Sequence, residues 1–437
     1  MPKESTFQLE SFRQATPYIY AHRGKTFVLY ISDTLLSKEN TASLIHDLAL
    51  THTLGVKLVL VLGIRTFIDK KLDKQSASTF KDGWRITDAK SLHIIKEVAG
   101  SVKTDIEALF SIGLINTPMS GMKLNIVSGN YVRAKPVGIR NGVDYLHTGE
   151  VRSIAAHEIQ KQLDANNIVI MLPLGYSKTG DVFNLTSIEV AKHTACTLQS
   201  EKLVLMLDKL KLPGNKKQND NHYNVNEAKE LIKKLPKNKQ QLKGYLDVAV
   251  QACLENVSRV HLLDASKPGA LLEELYTLDG IATLVTAETY DEIRPATIND
   301  VGGIAELIQP LINNGALVSR TSEQLELEIE QFDVIERDGM VLACGALHVF
   351  PEENVAEVAC LAVHSDYQSN GRGSKMLAHL EKKAAAAEAN LLFVLSTQTS
   401  HWFREHGFKT TKIESLPLKK RALYNYQRNS KAYSKPI

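Results

Sequence analysis

A chain of 437 residues exceeds what one ordinary hydrophobic core organises, and it implies about two to three domains. With 43% hydrophobic and 23% charged residues, the composition is that of a folded globular protein and excludes a disordered or fibrous one. Lys plus Arg number 52 against 49 Asp plus Glu, so the net charge of +3 makes no case for a nucleic-acid-binding class.

From residue 26 to about residue 283, short aliphatic runs alternate with amphipathic segments. The runs at 27–31, 57–62, 125–127, 168–172, 203–207 and 260–263 predict strands, and the stretches 40–54, 88–110 and 155–166 predict helices between them. Such alternation predicts an α/β layer with a mostly parallel sheet and helices on both faces. Residues 208–243 turn to Lys, Asn, Gln and Pro. Without interleaved aromatics apart from Tyr223, that stretch reads as a solvated insertion rather than a nucleic-acid patch.

The polar run AETYDEIR before Pro295 predicts a boundary: a first domain at 1–286, a linker at 287–294 and a second domain at 295–437. Asn299 is placed to cap a helix with Val301, Ile304, Ile308 and Leu311 on one face. Thr321 and Gln324 fit a capping box for a second helix that turns Leu325, Ile329 and Phe332 inward. Strands at 334–336, 340–349 and 355–363 follow, then a glycine turn, a helix to about 388, a strand at 391–396 and a short helix near 401–405.

The N-terminus has no apolar signal core, and the longest apolar runs have buried-strand length, so neither export nor a membrane span is expected. Cys196, Cys253, Cys344 and Cys360 show no C-x-x-C spacing and no zinc pattern with His, which fits a reduced, cytoplasmic protein.

The chemically richest stretch runs from Val358 through Ala359, Leu361, Ala362 and Val363 to Gln368, Gly371, Arg372, Gly373 and Ser374. Strand, glycine turn and helix start make an anion site. Glycine lets the backbone approach a ligand, and the helix start offers unpaired N–H groups with a favourable dipole. Two glycines near a helix start are also the mark of a plain turn. The Q-x-x-G-x-G spacing resembles the pyrophosphate loop with which GNAT-family N-acetyltransferases hold acetyl-CoA. The element order after Pro295 is likewise the GNAT order.

Further landmarks are PYIYAHRGKTFV, WRITDAK, GVDYLHTGEVR, FNLTS, VHLLDASKPGALLEELYTLDGIAT, IRPATINDVGGI, HWFREHGF and YNYQRNSK. With them the chain resembles, nearly end to end, the bacterial two-domain N-acetylglutamate synthases. In these an amino-acid-kinase-like α/β sandwich precedes a GNAT domain of mixed α/β fold. The resemblance implies acetyl transfer from acetyl-CoA to the α-amine of L-glutamate, the entry step of arginine biosynthesis, with no metal or redox cofactor. It also implies a hexamer linked through the amphipathic segment 7–20.

Only a neutral amine attacks a thioester, so the site needs a base; Glu357 matches the family's position, with a surface carboxylate as the plain alternative. Backbone N–H groups of Leu361, Ala362 and Val363 are expected to orient the thioester and the pantetheine amides, and Gln368, Gly371, Gly373 and Ser374 to hold the pyrophosphate. Ser396 and Cys360 match positions near the departing thiolate, although both also read as packing residues, and Tyr424 or Tyr426 is equally able to donate a proton. For the two substrate carboxylates the resemblance points to Arg320, Arg428 and Ser430, since a guanidinium grips a carboxylate bidentately; a surface salt bridge is the alternative for each arginine.

Amino-acid kinases cradle phosphates with a Lys-x-Gly-Gly turn and a second glycine cluster. Here the first turn reads Tyr30, Ile31, Ser32, Asp33 and the second Leu62, Gly63, Ile64, Arg65. The lysine is gone, one glycine is left, and Asp33 adds negative charge, so phosphoryl transfer is not expected. Arginine-sensitive members enclose L-arginine between an N-terminal helix and the end of this domain, and the matching residues are Tyr18, His261, Glu274 and Gly280. Glu274 would pair with the guanidinium and Gly280 would permit close backbone approach, while His261 also reads as a core histidine. Gln14 stands where some relatives carry His, which puts the strength of feedback inhibition in question.

Three other readings stay open at this level: an arginine-binding regulator with an inactive GNAT domain, a bifunctional synthase and kinase, and a protein-lysine acetyltransferase. Intact Gln368, Gly371, Gly373 and Glu357 weigh against the first, and the degenerate phosphate turns against the second.

Overall fold

The computed structural model describes residues 2–36, 41–73, 79–81, 83–112, 124–210, 222–287, 292–337, 339–422 and 430–437. The chain divides into two compact units, one ending at Glu288 and the other running from Thr289 to Ile437. Among the described residues no helix is long and apolar enough to cross a membrane, and no group of three or more His, Cys, Asp or Glu is placed to hold a metal ion.

The first unit is built on an eight-stranded sheet. Its order is His222–Asn224, Thr283–Thr286, Arg259–Asp264, Lys202–Leu207, Thr26–Ile31, Lys57–Leu62, Ile168–Met171 and Ile126–Ser128. Every pairing is parallel except that of Arg259–Asp264 with Thr283–Thr286. The central strand is apolar throughout because both of its faces are covered. Val28 and Tyr30 enter one core with Val59, Val61 and Leu205, while Phe27, Leu29 and Ile31 enter another with Leu58, Leu60 and Met206. Each such side chain gains about 1.5–3 kcal/mol on leaving water. Asp88 caps the helix Ala89–Ser111, accepting from the Ser91 N–H at 2.7 Å. The N-terminal segment is one helix, Pro2–His22.

The lysine-rich stretch departs from its expectation as a solvated insertion. Beyond residues 211–221, which lie outside the described set, His222–Asn224 is an edge strand and Asn224 with Glu227 forms a capping box for the helix Val225–Lys234. Val225, Ala228 and Ile232 enter the core, and Lys229, Lys233 and Lys234 cover the opposite, exposed face. Composition reported only the solvated half of an amphipathic helix.

The second unit carries a seven-stranded sheet in the order Glu292–Pro295, Phe332–Arg337, Met340–Phe350, Val355–Val363, Leu391–Ser396, Lys431–Pro436 and Lys409–Thr411. Two expectations need correction here. Glu292, Ile293 and Arg294, assigned to a linker, form the edge strand, where Arg294 is held by Asp300 and Glu336 at 2.8 and 2.7 Å. The helix Val301–Asn313 is entered through a 3-10 turn capped by Thr297 with Asp300, not by Asn299. The Thr321–Gln324 capping box forms as expected and opens the helix Ser322–Leu327, but Phe332 begins a strand.

Two irregularities in the middle of this sheet matter for the site. Val355–Val363 and Leu391–Ser396 pair in parallel only as far as Glu357 opposite Phe393; past that point they share no ladder. On the other edge of Val355–Val363 the register with Met340–Phe350 shifts between Cys344 and Ala346, and Cys360 adopts φ 48°. A left-handed residue at a bulge is ordinarily glycine; a cysteine there stores backbone strain beside the opening.

Candidate active site

The glycine turn is the N-terminus of the helix Arg372–Ala386. Gly371, at φ 70°, occupies the cap position and supplies no side-chain hydrogen bond to the helix's first N–H groups. A Cβ on Gly373 would sit 3.3 Å from Cζ2 of Trp402, so the ring closes over the backbone there. Gln368 Nε2 donates to the Val363 carbonyl at 3.4 Å, tying the turn to the end of the strand. Arg372 is buried: its guanidinium lies 5.2 Å from the Tyr367 ring centre and donates to the Tyr367 carbonyl at 3.4 Å.

Ser374 Oγ is 2.8 Å from His406 Nε2, and His406 Nδ1 is 2.9 Å from the Trp402 carbonyl. A carbonyl only accepts, so in the neutral ring Nδ1 carries the proton and Nε2 accepts from the Ser374 hydroxyl. HWFREHGF, quoted above only as a landmark, therefore supplies two neighbours of the turn, Trp402 and His406.

Antiparallel alternation decides where the strand's amides point. His364 N–H donates to the Leu342 carbonyl at 2.9 Å, and Ala362 pairs with Cys344. Ala362 therefore turns its amide to the neighbouring strand, while Val363 presents its own to the open edge. Leu361 lies on the bulge.

At that opening Glu357 is buried, with Lys420 Nζ 2.8 Å from its Oε2 and His348 in register across the strand pair. Burial pushes the His348 imidazole pKa down, so the ring is neutral near pH 7. Burial pushes the Cys360 thiol up, against the opposing pull of Arg320, which keeps it protonated and able to donate rather than attack. Arg320 donates to Cys360 Sγ and lies 3.4 Å from Glu328 Oε2. Ser396 Oγ accepts from the Thr399 N–H at 3.0 Å. Lys431 is in register with Ser396, which sets buried Ser430 beside the end of that strand. Arg428, Tyr424 and Tyr426 lie outside the described residues.

In the first unit His261, Glu274 and Gly280 come together. His261 Nδ1 donates to Glu274 Oε1, and Glu274 Oε2 accepts from the N–H groups of Ile281 and Ala282, both at 2.6 Å. Gly280, at φ 56°, would place a Cβ 2.6 Å from that oxygen. Burial lowers the His261 pKa, so its imidazole is neutral. Burial opposes ionisation of Glu274 too, but the His261 and amide hydrogen bonds hold its carboxyl below the usual range. Tyr18 is half-buried on the N-terminal helix, 6.4 Å from the His22 ring, which in turn lies 5.8 Å from Tyr276.

The turn at the position where amino-acid kinases cradle phosphates is occupied by the chain itself. Asp33 Oδ2 accepts from the Thr66 N–H at 2.6 Å, at the start of the helix Arg65–Asp73, and Oδ1 accepts from the Thr34 N–H at 2.9 Å.

Comparison with known proteins agrees with this architecture. The amino acid kinase family model matches residues 25–264, and the acetyltransferase (GNAT) domain model matches 328–410. The amino-acid acetyltransferase of Serratia proteamaculans (strain 568) is 43% identical over 435 residues, covering 99% of both chains. The chain belongs to the amino-acid acetyltransferase family. That of Yersinia pseudotuberculosis serotype O:1b (strain IP 31758) is 42% identical over the same 99% of each. Among solved structures, N-acetylglutamate synthase from Neisseria gonorrhoeae complexed with coenzyme A and L-arginine matches with TM-score 0.89 at 36% identity, over 98% of this chain and 99% of that one. The same enzyme with coenzyme A and N-acetyl-glutamate gives TM-score 0.62 over the same shares. This acetyltransferase thus bears out, along its whole length, the family and the fold read from its landmarks.

Lys420, His348, Glu328 and Asp33's hydrogen bonds were not legible as parts of these clusters. For Lys420 and His348 no local motif exists, because their partner Glu357 lies on another element; Glu328 is eight residues from Arg320 but shares no recognisable spacing with it.

Proposed function

We propose that this acetyltransferase moves acetyl from acetyl-CoA to the α-amine of L-glutamate, giving N-acetyl-L-glutamate and CoA as the first step of arginine biosynthesis, under feedback by L-arginine. The observation that carries the reading is the meeting of a buried carboxylate, Glu357, with the point where two strands part, beside an uncapped helix start. Pantetheine enters the gap as an extra strand and uses the free amide of Val363, while the pyrophosphate sits on the N–H groups of the Gly371–Gly373 turn with Gln368 and Ser374.

Glu357 takes a proton from the substrate ammonium, through water, and the neutral amine attacks the thioester carbon. The C–N bond forms, the C–S bond breaks, and the thiolate leaves with a proton from the protonated Cys360 thiol or the Ser396 hydroxyl, which regains one from the nitrogen as the amide forms. Arg320, Arg428 and Ser430 grip the substrate carboxylates. Binding of L-arginine belongs to the first unit, at Tyr18, His261, Glu274 and Gly280. The full-length likeness to an enzyme solved with L-arginine supports this assignment. Leu9, Phe12 and Tyr20 are 60%, 66% and 85% exposed on the N-terminal helix, which suits that helix to joining subunits of a hexamer.

The test is CoA release from acetyl-CoA with each free amino acid in turn, with and without L-arginine. Glutamate-selective turnover that falls with arginine is expected. Turnover on peptide lysines in place of free glutamate overturns the acceptor, and turnover indifferent to arginine overturns the sensor.

A further inference from the structure

We infer that Lys420 and Glu328 are resident stand-ins for the two charged ends of the amino-acid substrate, holding its places until it displaces them; this rests on the acceptor reading above. Lys420 Nζ stands 2.8 Å from Glu357, whose side chain is only 5% exposed against 26% for the lysine. Glu328 stands 3.4 Å from Arg320, with exposures of 37% and 17%. In each pair the inner member belongs to the catalytic or carboxylate-gripping set, and the outer member is the more exposed.

The two pairs are neighbours. His348, neutral through burial, experiences the charges of Glu357, Glu328, Lys420 and Arg320 together, and Cys360 those of Arg320, Glu328 and Glu357. A free amino acid carries one ammonium and at least one carboxylate. Its ammonium is the chemical equivalent of the Lys420 head group, and its carboxylate is that of Glu328.

Substrate entry is therefore an exchange of ion pairs. Glu357 gives up one ammonium for another, and Arg320 one carboxylate for another, so neither buried charge is left unpaired and its desolvation is never exposed as a cost. The outer partners are cheap to move. Lys420 sits on the five-residue helix Leu418–Ala422, and Glu328 at the C-terminal cap of the six-residue helix Ser322–Leu327. Two consequences follow. Apparent affinity for the amino acid is reduced by the fraction of time its places are filled. A ligand with only one of the two charges displaces only one stand-in, which selects for the zwitterion.

The experiment compares the full-length protein with its Lys420→Met, Lys420→Gln and Glu328→Gln variants, by titration calorimetry with L-glutamate and with glutarate, which lacks the amine. Each substitution is expected to tighten L-glutamate by about fivefold, the worth of a partly exposed ion pair. Glutarate tightens only in Glu328→Gln. Lys420→Gln keeps a polar head group and serves where Lys420→Met fails to fold, with thermal unfolding as the check. Unchanged or weaker L-glutamate binding in both Lys420→Gln and Glu328→Gln overturns the proposal. Absence of wild-type turnover with glutamate sinks the acceptor reading instead, and the calorimetry still decides the stand-ins.

Discussion

Two strand-to-helix turns, one in each unit, began from the same physics and ended differently. Asp33, just past the end of Thr26–Ile31, faces the start of the helix Arg65–Asp73 that follows Lys57–Leu62, and its carboxylate takes the Thr66 and Thr34 amides. At the end of Val355–Val363 the helix start at Arg372 follows a glycine with no side chain to offer. A helix N-terminus attracts an anion in either case; the difference is whether the protein supplies that anion. In the first unit the chain fills the turn with its own carboxylate. In the second the cap position offers the helix no side-chain hydrogen bond.

Disabling each region in turn is the way to break this comparison. Glu357→Gln, beside the open turn, has the largest expected effect: kcat falls by about 100- to 10,000-fold, as for loss of a general base, with acetyl-CoA binding retained in a calorimetric titration. Next comes Gly371→Val. A β-branched residue at φ 70° costs at least about 1–2 kcal/mol and crowds the anion's approach, so the KM for acetyl-CoA rises by about tenfold or more. If it rises no more than for a change elsewhere on that helix, the turn does not hold the coenzyme.

Asp33→Asn tests the filled turn. Acetyl transfer from acetyl-CoA stays unchanged, but an amide N–H group now faces backbone donors, and urea denaturation shows about 1–3 kcal/mol less stability. Loss of coenzyme binding in that variant would refute the division of labour.

The smallest effect concerns Asp300, which anchors the edge strand of the second unit. Its hydrogen bond from Arg294, against the opposing effect of burial, holds its carboxyl down at about 2, from 3.8 in the open chain. The contribution is therefore complete above about pH 4 and disappears as pH falls toward 2. Denaturation midpoints measured across that window fall less steeply in Arg294→Gln than in the wild type.

Much of the fold could be read because it is written locally. The strands 355–363 and 391–396 keep their expected bounds, and the Thr321–Gln324 capping box forms, since short apolar runs and caps are decided within a few residues. The strand at 292–295 was missed because its charged Arg294 looks like linker until Asp300 and Glu336 are brought to it. His261, Glu274 and Gly280, implied by resemblance, do gather, but the carboxylate's two amide bonds come from a turn no pattern announces.

By itself, then, the sequence determined the two-unit α/β plan, the family, and the glycine turn with its helix, because hydrophobic period, turn chemistry and long shared landmarks all act along the chain. Tertiary structure alone decided the bulge at Cys360, the parting of the strands after Glu357, the ion pairs of Lys420 and Glu328, and the filling of the first turn by Asp33. Most of those features depend on which segments the topology makes neighbours. Burial then fixes the charges there, since a buried charge must find a partner wherever the fold supplies one.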